Sequence, residues 1–134
     1  MIILVILAIL AVATLREPKQ FTEVKEKYEI FLKNCPPEFP QLKKRILLSG
    51  YTKPKSELGY NVNKGGEIGL CLDGDSNQIF HVLLHELAHS TVGEYSHSEE
   101  FWNNFKKLRD HSVQLGIYTP IDSKSAFCGN YIRD

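Results

Sequence analysis

The sequence predicts a small α+β domain, and three observations carry that reading. Apolar residues recur at helical spacing in three stretches, near residues 20–34, 76–92 and 98–115. A short apolar run, Glu67 to Leu72, is bracketed by Gly65-Gly66 and Asp73-Gly74-Asp75 and reads as a strand. The chain has 134 residues, 43% of them hydrophobic and 24% charged, which suffices for one core and not for two domains. Lysine plus arginine equals aspartate plus glutamate at 16 each, so no net field favours nucleic acid, and none is expected as a partner.

Taken in order, Met1 to Leu15 (MIILVILAILAVATL) is an uncharged run ended by Arg16, Glu17 and Lys19. As a helix it would extend about 22 Å, short of a hydrocarbon core of roughly 30 Å, but Arg16 and Lys19 can reach the interface and lengthen the span. Two assignments compete: a retained N-terminal membrane anchor, and a signal segment cleaved at Ala11-Val12-Ala13. Cations on the C-terminal side of an anchor would leave residues 16–134 in the cytosol, whereas cleavage would release them as a secreted domain. The expectation taken forward is a membrane-associated domain at 16–134 with its anchor at 1–15.

Phe21, Val24, Tyr28, Phe31, Leu32 and Cys35 then mark an amphipathic helix that the prolines of CPPEFP terminate. Gln41 to Ser49 suits a short helix or a strand equally. Residues 50–67 read as loops around a weak strand at Gly59 to Asn63, followed by the strand at Glu67 to Leu72. The next helix starts on Ser76 or Asn77 as N-cap and runs to Val92, with Gly93 as its stop. Ser98 caps the third helix, Glu99 and Glu100 suit its positive end, and Gly116 closes it. The last eighteen residues show no period and are expected to wrap the core. Cys35, Cys71 and Cys128 form no C-x-x-C and are expected to be small buried hydrophobes; one disulfide is the lesser alternative and would need an oxidising compartment.

Inside the second helix stands His85-Glu86-Leu87-Ala88-His89, an H-E-x-x-H. Histidines at i and i+4 share a face, so both rings can reach one tetrahedral zinc at about 2.0–2.1 Å. Glu86, beside the first ligand, can take a proton from a water activated there. Composition alone would produce the pattern about 0.015 times in such a chain, so chance is a minor alternative. His81 extends the same face, but it would stand about 12 Å from His89 and cannot share the ion; it reads as a hydrogen-bonded core histidine. A third ligand must come from chain that turns back at Gly93. His97 is the leading candidate, with Glu94, Glu99 and Glu100 as rivals. His111 is expected to cap the third helix or face solvent.

The run HVLLHELAHSTVGEYSHSEEFW (His81 to Trp102) resembles the catalytic segment of small zincin metallopeptidases of the WLM and SprT-like kind, and EIGLCLD resembles the strand before it. The resemblance covers Glu67 to Leu115. It implies a compact zincin-like fold, with a short sheet on an active-site helix and two further helices. It also implies one zinc ion on His85, His89 and His97, Glu86 as general base, and a protein or peptide substrate. The Ile68 to Leu72 strand would pair with that substrate. Tyr118, Tyr131 and His111 are candidates to stabilise the developing oxyanion. A zinc site kept only for folding, or a zinc hydrolase acting on something other than peptides, are the alternatives.

Overall fold

The computed structural model describes residues 16–52, 58–62, 66–93 and 96–134. The run 1–15, taken above as an anchor or signal, lies outside the described residues, as does Glu94. Among the described residues, no helix is long and apolar enough to cross a membrane.

Helix α1 (Lys19–Lys33) buries Phe21, Val24, Tyr28 and Phe31, the stripe expected from their spacing. The buried Tyr28 hydroxyl accepts the Ile46 N–H at 2.9 Å and ties α1 to the chain entering the sheet. The undecided stretch after the prolines becomes a single 3₁₀ turn (Pro40–Lys43) and then strand β1 (Leu47–Tyr51). Leu48 is buried while Leu47 is 64% exposed, an alternation that three successive apolar residues hide in the sequence.

Strands β2 (Gly59–Val62) and β3 (Glu67–Cys71) complete a three-stranded sheet in the order β1-β3-β2. β1 runs parallel to β3 with Leu48 opposite Ile68; β2 runs antiparallel with Tyr60 opposite Gly69. This order corrects one expectation: Ile68 to Leu72 lies mostly in the central strand, its backbone engaged on both sides, so the strand left at the sheet edge near the site is β2.

Helix α2 (Ser76–His89) packs on the sheet and on α1, and helix α3 (Glu99–Gln114) packs on α2. The N-cap of α2 is Asp75, not Ser76 or Asn77. Its carboxylate accepts the Gln78 N–H at 2.8 Å while the Gln78 side chain returns to the Asp75 N–H, a capping box that either neighbour would forgo. The helix also ends at His89, three residues before the expected Val92. The Thr91 hydroxyl donates to the Ala88 carbonyl at 2.6 Å and accepts from Asn104 on α3 at 2.8 Å, so side-chain bonds replace the next helical turn. Ser98 caps α3 as expected, and Gly116 follows its end in the left-handed region.

The C-terminal residues, expected only to wrap the core, form a hairpin of β4 (Ser125–Phe127) and β5 (Asn130–Ile132). Its turn residues, Cys128 and Gly129, have φ of 50° and 75°, the pair of positive values that a two-residue hairpin of this hand requires. Cys128 is disulfide-bonded to Cys71 at the end of β3. The expectation of three unpaired cysteines therefore fails for two of them, because the fold brings together residues 57 positions apart; Cys35 stays free and half-buried.

Candidate metal centre

Helical geometry brings His85 and His89 to one face of α2, and His97, just before the Ser98 cap, stands beside them. The ring centroids form a nearly equilateral triangle: 5.0 Å from His85 to His89, 4.9 Å from His85 to His97 and 5.0 Å from His89 to His97. One ring nitrogen from each histidine lies within 4.8 Å of the others. His85 Nε2 and His97 Nε2 are 3.1 Å apart. Two nitrogens bound at 2.0–2.1 Å in a tetrahedron stand about 3.3 Å apart, so this spacing already fits one small ion.

Phe101, fully buried in the first turn of α3, supports all three rings, at 5.0, 4.5 and 4.9 Å from His85, His89 and His97. Trp102 flanks His97 at 5.6 Å. Phe101 belongs to the core while Trp102 is 39% exposed, and the packing of both against the imidazoles is visible only in three dimensions. Burial, then the neighbouring His89, His97 and His81, push the His85 pKa down to about 3, so its ring is neutral and carries the lone pair a metal needs.

The cluster is in a cleft of about 530 Å³ between α2, β2 and the C-terminal hairpin. Glu86 lines it and is itself largely buried. β2 comes close to α2: a Cβ at Gly59 would stand 2.6 Å from Val82 Cγ1 and 3.6 Å from Glu86 Cγ. The Asn61 amide donates to the Glu86 backbone carbonyl at 3.1 Å and to Ser90 Oγ at 2.8 Å, tying the sheet edge to the helix under the cluster.

The other candidates separate. His81 lines the cleft but is outside the triangle, its Nδ1 bonded to Asp134 and Tyr118. Of the three oxyanion candidates, Tyr131 lines the cleft and is 65% exposed. Tyr118 is buried behind His81, and His111 bonds the Asn34 carbonyl at the end of α1. Glu99 and Glu100 are exposed and do not join the imidazole cluster. Gly59, Asn61, Ile132 and Arg133 also line the cleft. Sequence reading missed them because they belong to a weak strand and a segment without period.

Residues 44–128, well over half of the chain, match the WLM domain family. The uncharacterized protein 136R of Invertebrate iridescent virus 6 is 33% identical over 103 residues, which span 77% of this chain and 49% of that protein. The uncharacterized protein R325 of Acanthamoeba polyphaga mimivirus is 38% identical over 85 residues, 56% of this chain and 43% of that one. The chain thus spans about half the length of the curated relatives it matches. Among solved structures, the metallopeptidase zymogen of Pyrococcus abyssi abylysin aligns at 21% identity with a TM-score of 0.45, covering 72% of this chain and 87% of that one.

Proposed function

Since this chain belongs to the WLM domain family, we propose that it is a zinc-dependent metallopeptidase that cleaves within peptide chains. The observation that carries the proposal is the triangle of His85, His89 and His97 nitrogens, with Glu86 lining the same cleft. Those three histidines would hold one zinc ion, which when bound supplies a Lewis acid for the scissile carbonyl and lowers the pKa of water nearby.

The remaining chemistry falls to the chain's own side chains. Glu86 takes the proton of the attacking water on its carboxylate and delivers it to the leaving amine nitrogen. Tyr131, alone among the oxyanion candidates in lining the cleft, donates its hydroxyl to the carbonyl oxygen as charge develops in this reading. An extended substrate pairs with the β2 edge rather than with β3, because β3 is already paired on both sides.

Zinc content of the protein, measured by elemental analysis, tests the site. One zinc per chain is expected in the wild type, with sharply weakened binding in His97→Ala. Glu86→Gln should retain the zinc and lose peptide hydrolysis by 10²-fold or more. A folded wild type without zinc, or a Glu86→Gln variant with full activity, would refute the reading.

Membrane tethering through residues 1–15 is part of the proposal. The Cys71–Cys128 bond supports an oxidising location for the domain, against the cytosolic side expected from Arg16 and Lys19. Fractionation of the full chain and of a chain starting at Lys19, each with thiol labelling, tests both points. Equal membrane recovery of the two would overturn the tether, and free Cys71 and Cys128 in cells would overturn the oxidising location.

A further inference from the structure

His81 stands one turn before His85 on the same face of α2, lines the cleft, and takes no part in the imidazole triangle. Its ring is tightly held. Nδ1 lies 2.8 Å from Asp134 Oδ1 and 3.1 Å from the Tyr118 hydroxyl, and the ring edge meets Phe105 with centroids 5.5 Å apart. Asp134 is fixed in turn: the Tyr118 hydroxyl donates to Oδ1 at 2.5 Å and the Ile121 N–H to Oδ2 at 3.0 Å. Burial alone would raise the Asp134 carboxyl, but the hydrogen bonds from His81, Tyr118 and Ile121 outweigh it and hold it below the usual carboxylate value.

An ionised acceptor at Nδ1 makes that nitrogen an N–H of the ring, and in the neutral ring Nε2 is then the nitrogen with the lone pair. Asp134 and Tyr118 are both buried and enclose the Nδ1 side, so Nε2 is the polar atom His81 has left for the cleft. Four residues of helix separate it from His85 by about 6 Å, the reach of one or two residues of an extended substrate.

We infer that His81 determines specificity, accepting a hydrogen bond from a hydroxyl or carboxamide side chain beside the scissile bond and disfavouring a large apolar one there. The reason is asymmetric: an apolar side chain packed on Nε2 strips it of water and offers nothing in return, whereas a donor satisfies it. Asp134 and Tyr118 are positioning residues that set the tautomer. His81 and Tyr118 lie within residues 44–128, the region that matches the family, whereas Asp134 lies beyond it. The inference rests on the metallopeptidase reading.

The test uses the full chain loaded with zinc and a set of peptides varied on both sides of the scissile bond. Binding of the same peptides to the Glu86→Gln protein is followed by fluorescence anisotropy. The wild type should favour Ser, Thr, Asn or Gln over Leu or Phe at one flanking position by about 3- to 10-fold in kcat/KM. His81→Leu should abolish or reverse that preference with zinc content unchanged. Asp134→Asn, which permits the other tautomer, should shift preference toward the acceptor-only carboxylates of Asp and Glu, included in the peptide set; it carries the test alone if His81→Leu does not fold. A merely structural role for Asp134 would lower stability without moving the preference. Cleavage with no preference, or with the same preference in both variants, overturns this inference and leaves the peptidase intact. No cleavage by the wild type together with no peptide binding to Glu86→Gln overturns both. Polar-selective binding that disappears when His81→Leu is added, without cleavage by the wild type, supports His81 and refutes the peptidase.

Discussion

Breaking the Cys71–Cys128 bond is the perturbation whose size follows most directly from the structure. The bond closes a loop across 57 positions, and the chain-entropy relation for such a loop gives about 4 kcal/mol of stabilisation through restriction of the unfolded state. For a domain of this size that corresponds to roughly 15 °C in Tm. Loss should be regional: the bond staples the β4–β5 turn to the end of β3, and the hairpin retains other ties. The Gln78 side chain donates to Ser125 Oγ at 2.8 Å and to the Ala126 carbonyl at 2.9 Å, and Asp134 is held by His81 and Tyr118. The assay is thermal and urea unfolding of wild type with and without reductant, beside a Cys71→Ala/Cys128→Ala variant. Amide exchange should show β4 and β5 losing protection first while α2 keeps its own. Thiol titration of the denatured, unreduced protein should find one thiol, Cys35. Three thiols, or reduced and oxidised forms melting within about 3 °C of each other (under ~1 kcal/mol), would refute the reasoning.

Other outcomes follow from packing and burial. Gly59→Ala places a methyl 2.6 Å from Val82 Cγ1 and 3.1 Å from the Gly69 carbonyl, so it should cost about 1–3 kcal/mol in urea unfolding and weaken peptide binding; wild-type stability would contradict the close approach of β2 to α2. Burial, first among the causes, raises the phenol pKa of both Tyr28 and Tyr118 above the usual 10, with the Asp134 carboxylate adding to it at Tyr118. Because the folded state holds these protons more tightly, their contribution is complete below about pH 10 and lost as pH rises above it. Melting curves from pH 8 to 12, compared with Tyr28→Phe, read this; a wild type as stable at pH 12 as at pH 8 would count against it. Asp75→Ala removes the capping box of α2 and should cost about 1 kcal/mol by urea unfolding, an unchanged midpoint being the contrary result.

The helices and the shared face of two of the clustered imidazoles were legible because their signals are local. Phe21, Val24, Tyr28 and Phe31 repeat at the helical period, and His85 and His89 share a face in any helix that contains them. His97 needed one further step, a turn short enough to bring the next N-cap back. Where local chemistry was read incompletely, the errors are small. Asp75 outcompeted Ser76 because Gln78 could answer it, and Thr91 ended α2 early by bonding its own backbone and Asn104. β1 escaped because Ile46, Leu47 and Leu48 carry no alternation in residue type, only in burial.

By itself, then, the sequence determined the α+β class, the three helices, the strand before α2 and the pair of imidazoles on α2, all set by contacts within a few residues. Tertiary structure decided everything that joins distant segments. It made β3 central and β2 the edge, paired Cys71 with Cys128, set Phe101 beneath three histidines, and brought Asp134 to His81 across 53 positions. No periodicity encodes such pairings, because they depend on how the sheet, helices and hairpin close around one shared core.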